Sequence, residues 1–280
     1  MTVLVFGKTG QVAQELARLG GVRCLDRAQA DLSDPAACAA IIANTDATAV
    51  INAAAYTAVD RAEDDEALAT TINGHAPTAM AKAAAARGLP FIQISTDYVF
   101  DGSGDQPWTP DAPTRPLNAY GRSKLIGEEG VRAARGPHVI LRSSWVFSAH
   151  GTNFVKTMLR LSESRDQLTV VADQIGGPTW AGDIARVCLT LAEALTNGHP
   201  GGTYHLSGGP DTSWADFARG IFAQAGRDTQ VTGIPSADYP TPAKRPANSR
   251  LDCTSLARDF TIPRPDWRAG LTHVLKELKE

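Results

Sequence analysis

The chain has 280 residues, 43% hydrophobic and 20% charged, with a formal net charge of -3 at pH 7. That length supports a buried core plus a smaller lobe, and the near-balanced charge gives no electrostatic footprint for nucleic acid or an anionic membrane. No apolar run reaches the roughly 18 residues of a membrane span, and the apolar N-terminal stretch stops at Gly7 without a basic region before it, which suits a first strand better than a signal peptide.

In chain order, residues 2–6 form a β-branched run and 11–19 show helical spacing. A short strand is expected at 22–25, and Asp34-Pro35 opens a helix with a capping side chain followed by a first-turn proline. Residues 49–53 are apolar again, 76–87 are Ala-rich and helix-forming, and 90–95 and 138–142 are short buried runs. Strands alternating with helices at this spacing predict an α/β fold, a Rossmann-type doubly wound parallel sheet with helices on both faces. After about Trp145 the texture changes, with more proline, glycine and tryptophan. A helix at 183–195 and a strand at 203–206 return the chain to the sheet. The expected division is a dinucleotide-binding domain of 1–146 plus about 181–207, and a smaller C-terminal α/β substrate domain of about 147–180 and 208–280. Residues 234–248 hold four prolines and are read as a loop packed over a binding cleft. The four cysteines (Cys24, Cys38, Cys188, Cys253) lie far apart without a CxxC pair. They suit reduced thiols in a cytoplasmic protein, and with the histidines equally scattered no metal centre is expected.

Gly7-Lys8-Thr9-Gly10-Gln11-Val12-Ala13 follows the first strand and opens a helix. Gly7 allows the tight turn, and Gly10 lets the backbone approach a pyrophosphate at the helix N-terminus, where free N–H groups and the dipole favour anions. Asp26, ending the second strand, suits an adenosine ribose, and Arg27 beside it suits a 2′-phosphate, which leaves NADH and NADPH both open.

Tyr120-Gly121-Arg122-Ser123-Lys124 is a YxxxK pair. At i and i+4 on a helix, phenol and ammonium reach the same volume. The ammonium is expected to lower the phenol's pKa and to hold the nicotinamide ribose. Ser95-Thr96-Asp97-Tyr98-Val99-Phe100 follows a strand, where α/β sheets place their ligands, and a Thr96 hydroxyl there suits a substrate carbonyl oxygen. Phosphate loop, Thr96, Tyr120 and Lys124 stand in the order of a short-chain dehydrogenase/reductase. The planar fork of Arg245 suits nucleotide phosphates.

At these residues, and at Ile51–Asp60, Pro116–Gly121, Arg142–Phe147, Asn153–Met158, Asp173–Thr179 and Arg245–Asp252, the sequence resembles the dTDP-4-dehydrorhamnose reductases of the extended short-chain group. Ala13, where relatives often carry glycine, is a departure. The resemblance implies reduction of the C4 ketone of dTDP-4-dehydro-β-L-rhamnose to dTDP-L-rhamnose by NADH or NADPH. By position, Tyr120 is the proton donor, Thr96 bonds the carbonyl oxygen, and Lys124 positions Tyr120 and the ribose. Gly10, Gln11 and Val12 face the pyrophosphate. Asp26, Asp31 and Leu32 lie near the adenosine, and Ala53, Ala54 and Ala55 line the cofactor cleft. Thr96, Asp97 and Trp145 contact the sugar. It also implies a small-molecule dTDP-sugar partner and leaves a homodimer open. Some relatives need Mg²⁺, but Glu15, the nearest candidate ligand, reads as solvated helix surface. Competing readings are a reductase of another nucleotide-linked 4-keto-6-deoxyhexose, an epimerase or dehydratase of the same fold, and a non-catalytic subunit of the methionine adenosyltransferase type. Tyr98 after Asp97, where a dehydratase has glutamate, argues against dehydration, and the intact catalytic set argues against a regulatory subunit.

Overall fold

A computed structural model of the chain describes residues 2–280. Its first half runs β1 (Val3–Phe6), α1 (Gln11–Leu19), β2 (Val22–Leu25), α2 (Pro35–Ala43), β3 (Ala49–Asn52), α3 (Glu66–Thr70), α4 (Ala76–Ala86), β4 (Phe91–Thr96), α5 (Ala119–Ala133) and β5 (His138–Ser143). The second half runs β6 (Val146–Phe147), α6 (Phe154–Ser162), β7 (Gln167–Val171), β8 (Ile175–Gly176), β9 (Thr179–Trp180), α7 (Ala181–Thr196), β10 (Gly202–Leu206), β11 (Thr212–Ser213), α8 (Trp214–Ala225), β12 (Gln230–Ile234), β13 (Asn248–Ser249), α9 (Thr254–Phe260) and α10 (Trp267–Glu277).

Six strands form one sheet in the order β10-β5-β4-β3-β1-β2, every neighbouring pair parallel. The chain leaves β1 outward to β2 and then crosses back to β3, so β1 and β3 flank the point where strand order reverses. Ligands of open α/β sheets bind beyond the strand ends at such a point. In β1, Val3 and Val5 face a core layer with Leu16 of α1 and Ile184 and Leu191 of α7. Leu4 and Phe6 face the opposite layer with Ile42 of α2 and Met80 of α4. Period-two alternation thus buries both sheet faces, each such side chain contributing roughly 1.5–3 kcal/mol.

Local chemistry sets the element ends. Asp34 caps α2 by accepting from Ala37 N at 3.0 Å, with Pro35 in the first turn. The strand expected at 49–53 stops at Asn52, whose Oδ1 folds forward to take Ala54 N at 3.2 Å. Asn118 caps α5 through Gly121 N at 2.8 Å. Residue 121 has to be glycine, because a Cβ there would lie 2.2 Å from the Tyr98 carbonyl oxygen. The start of α5 therefore presses on the turn after β4.

A third core, built on Phe147, Val155, Met158, Phe217, Ile221, Trp267 and Leu271, holds the second lobe. Its β12 pairs in parallel with β7, and β8 sits between β11 and β13. The proline-rich tract leaves β12 and makes only a single 3₁₀ turn at Ser236–Asp238. It crosses the start of α5, where Asn118 donates to Lys244 O at 2.8 Å.

Candidate active site

A cleft of about 1000 Å³ opens at the reversal point, lined by the loop after β1, the ends of β2, β3 and β4, the first turns of α5, and Trp145 and Trp214. Gly7 has φ +113°, and a Cβ there would meet the Ala53 carbonyl carbon at 3.3 Å. The two strand ends therefore close together only around a glycine. Gly10 caps α1 without any side-chain bond, which leaves the first N–H groups of the helix without a capping acceptor at the cleft. This cradle fits a pyrophosphate.

Gly7, Gly10, Gln11, Val12, Asp26, Asp31, Leu32, Ala53, Ala54 and Ala55 all line this cleft. The Gln11 side chain is held by the second lobe. Its Oε1 accepts from Ser148 Oγ at 2.9 Å and Asn153 Nδ2 at 3.0 Å, tying α1 to the second lobe. Asp26 pairs with Lys8 at 3.3 Å, and Arg27 pairs with Asp31 at 3.2 Å. The rim beside β2 thus carries both signs of charge already matched.

Thr96, Tyr120 and Lys124 meet in the same cleft. The Thr96 hydroxyl donates to Asp97 Oδ1 at 3.1 Å and accepts Tyr98 N at 3.2 Å. Asp97 is 2% exposed and its Oδ2 has no partner. Burial pushes its carboxyl up to about 6, more than Ser249 and Thr96 pull it down. Lys124 Nζ donates to Ile94 O at 2.6 Å, and burial brings its ammonium down to about 8 while Glu128 resists.

The Tyr120 phenol stands above its ordinary value, because burial outweighs every other influence on it. Burial pushes Tyr120 up to about 12, with Thr96 opposing and Asp97 adding, while the Lys124 ammonium is anchored on the β4 carbonyl of Ile94. A phenol in this state holds its proton at neutral pH, which suits a donor rather than a base.

A second cavity of about 760 Å³ shares Tyr98 and Trp214 with the cleft and continues past α6 and β7 to Gln174, Tyr239 and Arg245. Trp145 adopts φ +50°, a strained conformation for a bulky residue, and stacks on Trp214 at 3.7 Å and 12°. A Cβ on Gly176 would lie 2.9 Å from the Trp145 ring, so that glycine makes room for it. Arg245 lines the second cavity while its guanidinium holds Asp60 through bonds of 2.9 and 2.7 Å. Sequence reading missed Tyr98, Trp214, Arg165 and Tyr239 as cavity walls. Tyr98, inside the Thr96-Asp97 motif, carried a signal, whereas nothing local marks Arg165.

Glu15 is not solvated surface. It is 5% exposed, because α1 packs that face against the loop after β6 and against α10. Glu15, His150 and Glu277 bring one ligand atom each within 4.8 Å of one another, and Glu15 Oε1 and His150 Nε2 are buried without hydrogen-bond partners. Arg18 already pairs with Glu277 at 2.6 Å and Glu15 at 3.5 Å. The set is a poor match for Mg²⁺, which takes oxygen donors, because one of the three donors is an imidazole nitrogen and Arg18 already pairs with both carboxylates. None of the three lines the cleft.

A glycine cradle at the reversal point, with a hydroxyl, a protonated phenol and a buried ammonium converging beyond β4, defines a nicotinamide-dependent reductase of the short-chain dehydrogenase/reductase class. Residues 1–280 match the family model described as the RmlD substrate binding domain, and the chain belongs to this family. A dTDP-4-dehydrorhamnose reductase of Sinorhizobium fredii is 44% identical over 95% of this chain and 94% of its own length. The enzyme of the same name from Escherichia coli K12 is 40% identical over 99% and 98%. Among solved structures, the dTDP-4-dehydrorhamnose reductase of Clostridium acetobutylicum superposes with TM-score 0.94 at 37% identity, covering 100% of both chains. That of Bacillus anthracis, in complex with NADP, gives 0.93 at 31%, covering 99% of each.

Proposed function

We propose that the protein reduces the C4 ketone of dTDP-4-dehydro-β-L-rhamnose to dTDP-L-rhamnose, the last step in making that sugar nucleotide. The observation that carries this reading is the pair of cavities joined at Tyr98 and Trp214, one ending at Thr96 and Tyr120 and the other at Arg165 and Arg245. Residues 1–146 with about 181–207 take the dinucleotide, and 147–180 with 208–280 take the sugar nucleotide. With four free cysteines, three of them buried, and no helix of the described residues long and apolar enough to cross a membrane, we place the enzyme in the cytoplasm.

NADH or NADPH bound along Gly7–Val12, Asp26, Asp31, Leu32 and Ala53–Ala55 supplies the hydride. The chain's own residues do the rest. Thr96 releases Asp97 and gives its hydroxyl proton as a hydrogen bond to the ketone oxygen, which steadies the charge that develops there. Tyr120 delivers its phenolic proton to the same oxygen as it becomes an alkoxide, far more basic than a phenol at about 12. Lys124, fixed on the Ile94 carbonyl, places a positive charge by the cofactor ribose and the phenolate left behind. Trp145, backed by Trp214, offers a flat apolar face to the sugar ring, Asp97 takes a sugar hydroxyl, and Arg245 faces the nucleotide phosphates. The test is absorbance at 340 nm with NADH or NADPH and the 4-ketosugar formed by the preceding dehydration and epimerisation. Oxidation that depends on the sugar is expected, and oxidation only with a different 4-keto-6-deoxyhexose would reassign the substrate.

A further inference from the structure

Beneath the cleft lies a buried ion pair that the proton-transfer chemistry above does not use. Tyr120, Lys124 and Glu128 follow at four-residue steps along one face of α5. Glu128 is 0% exposed, yet its carboxyl is held below the usual range, since Arg142, Ser95 and Arg132 outweigh its burial. Arg142 donates Nε to Oε1 at 2.8 Å and Nη2 to Oε2 at 2.7 Å. Ser95 Oγ donates to Oε1 at 2.6 Å, and Arg132 Nη2 to Oε2 at 2.6 Å. Arg142 is fixed in turn by Pro110 O at 3.0 Å, His205 Nε2 at 3.3 Å and the Phe100 ring at 5.0 Å.

Burying two charges costs several kcal/mol of solvation per ion, which their attraction often fails to recover, so such a pair is weak evidence for a stabilising role. What this pair touches is more informative. Ser95 stands between Ile94, whose carbonyl anchors Lys124, and Thr96, which faces the substrate oxygen. Arg142 lies across from Ser95, and Ser143 across from Thr96, in the β4–β5 register. Tyr120 and Glu128 stand one turn before and after Lys124 on its own helix, Thr96 and Asp97 line the same cleft from β4 and its turn, and Arg142 of β5 reaches it only by way of Glu128. From the segment before α5, Glu63 is taken up by Ala119 N and Glu66 by Arg122. Glu128 is the one charge that holds the Lys124 ammonium up against burial.

We propose that Glu128, braced by Arg142, is a positioning residue for the reduction: it sets a buried carboxylate one helical turn beyond Lys124 and, through Ser95, fixes the end of β4 so that Thr96 meets the ketone oxygen. This rests on the reductase reading, and the first readout below does not.

In ligand-free protein labelled with [ε-13C]lysine, the Lys124 resonance is identified by its loss in Lys124→Arg, and its pH midpoint is read by NMR. A midpoint near 8 is expected, lower in Glu128→Gln and unmoved in Ser95→Ala. In steady-state assays, Glu128→Gln should move the alkaline fall of kcat/KM to lower pH, with roughly threefold or more extra loss at pH 8.5 relative to pH 6.5. Ser95→Ala should lower kcat about tenfold with cofactor affinity kept within about twofold. An unmoved midpoint in folded Glu128→Gln overturns the charge role. Should that variant fail to fold, an unchanged kcat in Ser95→Ala overturns the proposal through the strand end. A wild-type enzyme inert toward the 4-ketosugar would refute the reductase reading while the NMR midpoint still judges Glu128.

Discussion

Replacing Asp97 by asparagine removes an ionisation that the fold resists. The carboxyl is 2% exposed with one oxygen unpartnered, and its midpoint rises from 3.8 to about 6. At about 1.4 kcal/mol per unit, a rise of roughly two units costs the folded state about 3 kcal/mol once the group is charged. As pH rises through 3.8 the unfolded chain releases this proton first, and the folded chain keeps it until about 6. The cost is therefore absent below pH 3.8, grows across that window and is complete above 6. An asparagine side chain keeps the volume and never ionises. Urea unfolding should show Asp97→Asn more stable by about 2–3 kcal/mol at pH 7.5, by about half as much near pH 5, and by almost nothing at pH 4. At neutral pH that corresponds to about 4–5 °C in Tm for a chain of this length. The same variant should raise KM for the sugar, because it loses the carboxylate that takes a substrate hydroxyl. A gain of equal size at every pH, or no gain at pH 7.5, would refute the reasoning.

Tyr120→Phe should lower kcat by about 10²–10⁴-fold, the usual worth of general acid catalysis, while the cofactor Kd read by fluorescence titration stays within about twofold. In the wild type, kcat/KM should fall as pH rises through about 8, because burial sets the free-enzyme Lys124 ammonium there and the cation is lost above it. Trp214→Ala removes the ring behind Trp145, a stack worth about 0.5–1.5 kcal/mol, so KM for the sugar nucleotide should rise about three- to tenfold with little change in KM for the dinucleotide. Gly121→Ala drives a Cβ into the Tyr98 carbonyl. Thermal denaturation should show a loss of about 1–3 kcal/mol, and kcat should fall with it as Tyr120 is displaced.

The sheet was legible because its strands are short, β-branched and spaced by helices, and because Gly7 and Gly10 follow β1 at once. Thr96, Tyr120 and Lys124 were legible because one strand end and one helix face supply all three. Electrostatic state was not legible. Spacing places Lys124 beside Tyr120, but only the fold shows that burial lifts the phenol and that the ammonium is anchored on the Ile94 carbonyl. Glu15 was misread for a related reason: on its own helix it has a polar residue's pattern, and its burial comes from His150 and Glu277, 135 and more residues away. The wall formed by Trp214, Arg165 and Arg245 is likewise assembled from α8, the loop before β7 and the proline-rich tract. No local pattern joins these segments.

The most direct measurement of the central claim follows hydride itself. Turnover of the 4-ketosugar with NADPH or NADH carrying deuterium at the transferable C4 position should give a dTDP-6-deoxyhexose with one deuterium, at sugar C4, by mass spectrometry and NMR. A product without label, or with label at another carbon, would contradict hydride transfer to the C4 ketone in the cleft of Thr96 and Tyr120.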